Sequence, residues 1–198
     1  MKFKYYDALS KLVMGYLVLI ALMMAFEIKY DNSYSIPYLA CAFVIGYFLN
    51  AVSSILEDFF YWTIGGRPSD NLLKIKGNKK YTGTYKVRFY ETYKVVELLK
   101  NDIADGNTNE RRLFSKAMRD INGNEKSRVP DFNAHYAFSR IVLTAMLAVT
   151  ILFIIKYPCY WQTYLIFIPL FLSWERYKQR GYYYAREVLN EYLKLKNK

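Results

Sequence analysis

Cysteine and histidine are nearly absent, with two and one in 198 residues. Two cysteines exclude a disulfide-stapled scaffold, and with a single histidine they also exclude a zinc finger. There is no phosphate-binding glycine loop, no Gly-x-Ser-x-Gly and no His-Glu-x-x-His. No internal repeat or low-complexity linker is visible. Acidic residues are outnumbered by Lys and Arg, 17 to 28, giving a net charge of +11. What remains is apolar: 54% hydrophobic and 19% aromatic residues, too much for a disordered chain. A mean hydropathy of −0.04 looks soluble, but the apolar residues sit in a few long blocks with the charges between them.

A transmembrane helix needs about 20 mostly apolar residues. Four charge-free stretches approach that length: Leu12 to Phe26, Ser33 to Leu56, Ile141 to Ile155 and Tyr157 to Trp174. Helix signal extends the first back to Tyr5. Pro37 suits a first helical turn in the second. Lys11 and Arg140 border the first and third, where long basic side chains can snorkel. Tyr16, Tyr30 and Tyr38 flank the first pair, and Tyr157, Tyr160, Trp161, Trp174 and Tyr177 flank the fourth, as interfacial aromatic belts do. The first stretch lacks a small-x-small site before Glu27, so it reads as a span and not a cleaved signal peptide.

The basic residues orient these spans. The N-terminal segment carries Lys2, Lys4 and Lys11. The segment from Gly65 to Tyr136 has a net charge of +6, and the tail from Glu175 a net of +4. The connectors at 27–35 and 157–159 are poor in Lys and Arg. The expected fold is therefore all-α: an integral membrane protein with four transmembrane helices and both termini cytoplasmic. Its parts are a first hairpin (1–64), a basic cytoplasmic helical insert (65–135), a second hairpin (136–174) and a cytoplasmic C-terminal helix (175–198). A bacterial inner membrane is the expected location.

Within the insert, Gly65-Gly66-Arg67-Pro68-Ser69 ends any helix continuing from the second span, and Ser69 or Asp70 caps the next. Turns are expected at 77–80 and at Thr82-Gly83. Spacings of three and four predict helices over 84–103 and 108–121. Asp105-Gly106-Asn107 separates them, and Gly123 ends the second. Leu113, Phe114, Met118 and Ile121 should face inward. These helices are too small for a core of their own. They should pack on the tail, where Val188, Leu189, Tyr192 and Leu193 form one apolar face.

Polar residues at membrane depth face protein or a cavity. The second span carries Ala42, Gly46, Asn50 and Ser54 at four-residue spacing, extended by Ser53, Glu57 and Asp58. Small residues so spaced let helix backbones approach closely. The third span carries Tyr136, Arg140, Thr144 and Ala148. The two spans run in opposite directions, which places Arg140 level with Glu57 or Asp58 and predicts an ion pair. The pair fixes helix register or gates an ion path lined by Asn50, Ser53, Ser54 and Thr144, and in an oligomer the two readings are compatible.

Arg111, Arg112, Lys116 and Arg119 form a basic face on the second insert helix. It suits anionic headgroups, RNA or a nucleotide, with Tyr85, Phe89 and Tyr90 as base-stacking neighbours. His135 reads as a boundary residue. Glu97, Lys100, Asp102 and Asp105 read as solvated charges rather than a nuclease cluster. Cys41 and Cys159 both fall near the outer side. No metal, cofactor or catalytic residue is expected. An enzyme using His135, Asp131 or Glu57 as acid or base is the weakest reading.

Gly66-Arg67-Pro68-Ser69 followed by Leu72-Leu73, and Asn133-x-x-Tyr136-x-x-x-Arg140, resemble features of small four-span bacterial membrane proteins that accompany antiviral systems, including the membrane accessories of type VI-B CRISPR loci. The resemblance implies a defence-associated effector or accessory, acting as an oligomeric pore. The Arg-x4-His motif of a related accessory class is not matched, because Pro130 stands five before His135. The functional expectation is a homo-oligomer, in contact with membrane lipids, that forms or regulates a conduit. The alternative is a scaffold recruiting a soluble protein, RNA, nucleotide or anionic lipid through its basic helices.

Overall fold

The computed structural model describes residues 2–75, 80–103, 109–122 and 127–197. The chain is mostly helical. Its elements are α1 (Lys2–Ala25), a 3₁₀ turn (Asn32–Tyr34), α2 (Ser35–Ile55), α3 (Glu57–Thr63), α4 (Pro68–Leu73), β1 (Thr82–Gly83), β2 (Arg88–Phe89), α5 (Thr92–Asn101), α6 (Glu110–Ile121), α7 (Val129–Lys156), α8 (Trp161–Tyr164) and α9 (Phe167–Lys196). They divide into two compact units. Unit 1 comprises residues 1–58 and 137–177, and unit 2 comprises 59–136 and 178–198.

Among the described residues, three helices are long and apolar enough to cross a membrane: Ala8–Ala25, Asn32–Ile55 and Val129–Lys156. The fourth expected span, Tyr157 to Trp174, is not one continuous helix. α8 ends at Tyr164 and α9 begins at Phe167. Pro169 accounts for the break: it has no N–H to donate, and its ring would clash with the carbonyl four residues back in an uninterrupted helix. It sits instead in the first turn of α9, where no donor is needed.

The core of unit 1 joins Val18 and Ala21 of α1, Leu49 of α2, and Ile141, Ala145 and Val149 of α7. The tightest packing lies between α1 and α2. A Cβ added at Gly15 would fall on the Ala42 carbonyl and 2.6 Å from Gly46 N. One added at Gly46 would fall on the Lys11 carbonyl. Ala42 and Gly46 of the small-residue stripe are thus in backbone contact with α1. The opposite face of α2, with Tyr47, Phe48, Val52 and Ile55, is exposed.

Unit 2 is built on the C-terminal part of α9. Tyr182, Ala185, Val188, Leu189, Tyr192 and Leu193 are buried against Leu72 and Leu73 of α4, Val95 and Leu99 of α5, and Leu113, Ala117 and Ile121 of α6. The tail therefore supplies the core that the insert helices lack. Phe114 and Met118 are half-buried at its edge. Gly181 is buried in α9 because Pro68 leaves no room for a Cβ, which would lie 2.9 Å from Pro68 Cγ.

Local structure in unit 2 departs from expectation at three places. The helix predicted over 84–103 begins only at Thr92, because Thr82–Phe89 folds as an antiparallel hairpin. Thr82-Gly83 is a strand and not a turn. Thr84 N donates to Val87 O at 2.9 Å to close the loop. Gly83 has φ +102°, and a Cβ there would meet the Val87 carbonyl and Leu72 Cδ2. Nor do Ser69 and Asp70 cap α4; Arg67 holds the cap position and Pro68 opens the helix, as its fixed φ favours. Asn109 caps α6, its side chain accepting from Arg111 N at 3.2 Å. Of the turn predicted over 77–80, residues 77–79 lie outside the described residues, as do the break at Asp105-Gly106-Asn107 and the stop at Gly123.

Candidate functional site

In unit 1, Glu57 is the first residue of α3, immediately after α2, and Arg140 lies two turns into the part of α7 that follows the Pro130-containing start. Arg140 Nη1 lies 2.9 Å from Glu57 Oε2. Arg140 Nη2 donates to Ser54 Oγ at 3.0 Å. The side chains of Arg140 and Glu57 are 14% and 26% exposed, so the pair is largely withdrawn from water. Arg140 Nε is buried without an acceptor among the described residues. The guanidinium fork thus reaches across from α7 to the end of α2 and the start of α3. Such charge-assisted bonds each contribute about 1.5–3 kcal/mol. Asp58, the alternative partner, is exposed.

The hydroxyls expected to line a path are turned back onto their own helices. Ser53 is fully buried, and its Oγ donates to the Asn50 carbonyl at 2.7 Å. Ser54 Oγ donates to the same carbonyl at 3.2 Å while accepting from Arg140. Thr144 is 3% exposed and donates to the Arg140 carbonyl at 3.0 Å. Hydroxyls in this arrangement are satisfied without water. Asn50 is half-buried. Cys41 and Cys159 are exposed free thiols.

In unit 2, the basic face of α6 is interrupted. Arg111, Arg112 and Arg119 are exposed. Lys116 is tied to Asp120 one turn on, at 2.7 Å. Arg111 also borders a cleft of about 180 Å³ with Arg67, Ser69, Ser115, Tyr136 and Tyr184. Arg67 lies over the Tyr61 ring at 5.2 Å. Tyr61 and Tyr136 share a hydroxyl hydrogen bond of 2.6 Å, and Tyr136 stacks on Tyr184 at 5.8 Å.

Of the residues read as solvated charges, Asp102 is instead engaged by neighbouring side chains. Asp105 lies outside the described residues, and Glu97 and Lys100 are exposed on α5. Asp102 accepts from Tyr192 Oη at 2.8 Å and pairs with Lys196 at 2.6 Å. The Lys196 hydrogen bond, then that of Tyr192, holds the Asp102 carboxyl below the usual carboxylate range. Burial, reinforced by Asp102, pushes the Tyr192 phenol well above its ordinary value. These three groups fasten the C-terminal end of α9 to the end of α5. His135 is half-buried. No group of three metal-ligating side chains occurs among the described residues.

The hairpin carries a feature the sequence reading only half captured. A cleft of about 740 Å³ is lined by Tyr81, Tyr85, Tyr90 and Tyr93, with Lys74 and Lys80 on its border. Arg88 lies over the Tyr81 ring at 4.9 Å and over the Tyr85 ring at 5.8 Å. A hydrogen bond with Tyr90 raises the Arg88 pKa further. Tyr85 and Tyr90 were expected as stacking neighbours of the α6 basic face; they line this cleft instead, and no α6 residue lines it. Phe89 is not available: its alternate position on β2 sends it into the core at 3% exposure. Tyr81 and Arg88 were missed because a helical reading of 84–103 scatters them, whereas a hairpin gathers them.

No family model, curated protein or solved structure matches the chain.

Proposed function

We propose that the protein is a non-enzymatic, multi-pass anchor of the bacterial inner membrane whose unit 2 recruits an anionic partner. The observation that carries this reading is the engagement of the polar residues in unit 1. Arg140 is committed to Glu57 and Ser54, and Ser53 and Thr144 are committed to their own helices. They serve helix packing, which supports an anchor over a conduit. The fourth crossing is completed by α8 and the first turns of α9. Both termini and the basic segment 65–135 lie on the cytoplasmic side, as their excess of Lys and Arg favours. Copies associate in the membrane plane. The defence setting is carried by the sequence resemblance alone.

Recruitment is assigned to Arg111, Arg112 and Arg119, which α6 leaves exposed. Liposomes carrying the full chain should co-float with a labelled 20-residue oligouridylate. Changing all three arginines to Gln should cut co-flotation about tenfold near physiological salt. It should also lower the salt slope by about 2, as expected for three lost phosphate contacts on a single strand. Lys116→Gln should have a smaller effect, because Asp120 already neutralises that ammonium. Undiminished co-flotation of the triple variant, with normal insertion, contradicts the assignment.

A further inference from the structure

We infer that the tyrosine cleft of unit 2 is a binding site for a nucleoside phosphate, with the base stacked on the Tyr85 and Tyr90 rings and the phosphate held by Lys74 and Lys80. The site shares no residue with the basic face of α6, so it goes beyond the recruitment reading and stands or falls separately.

Four observations carry it. The first is size: about 740 Å³ falls in the range of small-ligand clefts, roughly 300–1,000 Å³. The second is the rings. Tyr85, Tyr90 and Tyr93 are 83%, 60% and 52% exposed, an unusual display of aromatic surface that core packing does not require. Tyr81 and Tyr90 stand 5.8 Å apart at 57°, so the two rings present differently inclined faces. The third is charge. Lys74 and Lys80 line the cleft, and no carboxylate lines it among the described residues. A cationic ligand would be repelled by Lys74 and Lys80, and Arg88 already lies over the Tyr81 and Tyr85 rings that could attract one; a purely apolar ligand would desolvate ammonium groups without compensation. The fourth is order. The hairpin is pinned by Thr82 Oγ1, 2.7 Å from both the Leu72 carbonyl and Thr92 Oγ1, and Arg88 braces the Tyr81 and Tyr85 rings from one side. The rings are thus held before a ligand arrives, which lowers the ordering cost of binding.

A small inorganic anion would use the lysines and leave the rings idle. A planar aromatic group bearing negative charge uses both. Base–tyrosine stacking tolerates any base, because every base has a π-face. The chemistry is common to a free nucleotide and to the terminal nucleotide of a strand.

Equilibrium dialysis of the full chain in nanodiscs against radiolabelled ATP, GTP, CTP and UTP, and separately against hexauridylate, tests the proposal. Tyr85→Ala and Tyr90→Ala should each weaken binding about tenfold, the scale of one lost stacking partner, and Tyr85→Phe should retain it. Tyr85 is the decisive position, since at 83% exposure its loss leaves the fold intact. Lys80→Gln should weaken binding and reduce its salt dependence. Replacing Arg111, Arg112 and Arg119 should leave mononucleotide binding unchanged. Tyrosine-dependent binding of mononucleotides identifies a free nucleotide as the ligand. Tyrosine-dependent binding of hexauridylate alone identifies a strand end. Absence of binding to either, or binding indifferent to Tyr85→Ala and Tyr90→Ala, overturns the proposal.

Discussion

Arg140→Ala is expected to destabilise the detergent-solubilised protein by at least about 3 kcal/mol, since two hydrogen bonds of a charged group, each contributing about 1.5–3 kcal/mol, are lost. The substitution removes the bridge to Glu57 and the bond to Ser54 together. It also leaves a carboxylate only 26% exposed, without the guanidinium that compensates its loss of water. Glu57→Ala should cost a similar amount, because it strands the guanidinium whose Nε already lacks an acceptor among the described residues. Glu57→Gln keeps an acceptor and should cost less. The exchange Arg140→Glu with Glu57→Arg restores the charge pair but not the bond to Ser54, so rescue should be partial. Thermal unfolding of the unsubstituted protein, Arg140→Ala, Glu57→Ala and the double Ala variant forms a cycle, in which a coupling of about 0.5 kcal/mol or more marks direct interaction. Additive losses with no rescue would show that the two residues act independently.

Gly46→Leu is the second large effect. The added side chain would begin at the Lys11 carbonyl, which is backbone and cannot rotate aside. Overpacking a well-filled interior costs about 1–3 kcal/mol even where side chains can yield. Here α1 and α2 must separate, so the cost should lie at or above the upper end. Gly15→Ala should behave similarly, because its Cβ would fall on the Ala42 carbonyl. Ala51→Leu, on the exposed face of the same helix, is the control and should be nearly neutral. Size-exclusion profiles after heating report the difference. Equal tolerance of Gly46→Leu and Ala51→Leu would mean that α1 and α2 do not pack through this seam.

The pairing of Arg140 with Glu57 was legible because two rules meet there. A cation at a span boundary demands a partner, and antiparallel spans bring equal depths together. The Gly46 seam was legible from four-residue spacing alone. The packing of the insert on Val188, Leu189 and Tyr192 followed from a shortage of apolar surface in the insert helices. Other features depended on information that periodicity does not carry. Val87 and Phe89 are buried at alternate positions of a two-residue-per-strand hairpin, too short for alternation to compete with the helical pattern around it. The break between α8 and α9 was hidden by uniform apolarity, although Pro169 gave a local signal. The interruption of the basic face at Lys116 came from Asp120, one turn away. Reading α6 for cations alone overlooks an i,i+4 partner.

Ion and dye efflux from liposomes holding the purified full chain tests the central claim, that the polar residues of the spans pack helices and do not line a conduit. The account predicts efflux at the level of empty liposomes, unchanged by Asn50→Leu. Efflux well above that level, suppressed by Asn50→Leu in protein that still inserts and folds, would contradict it.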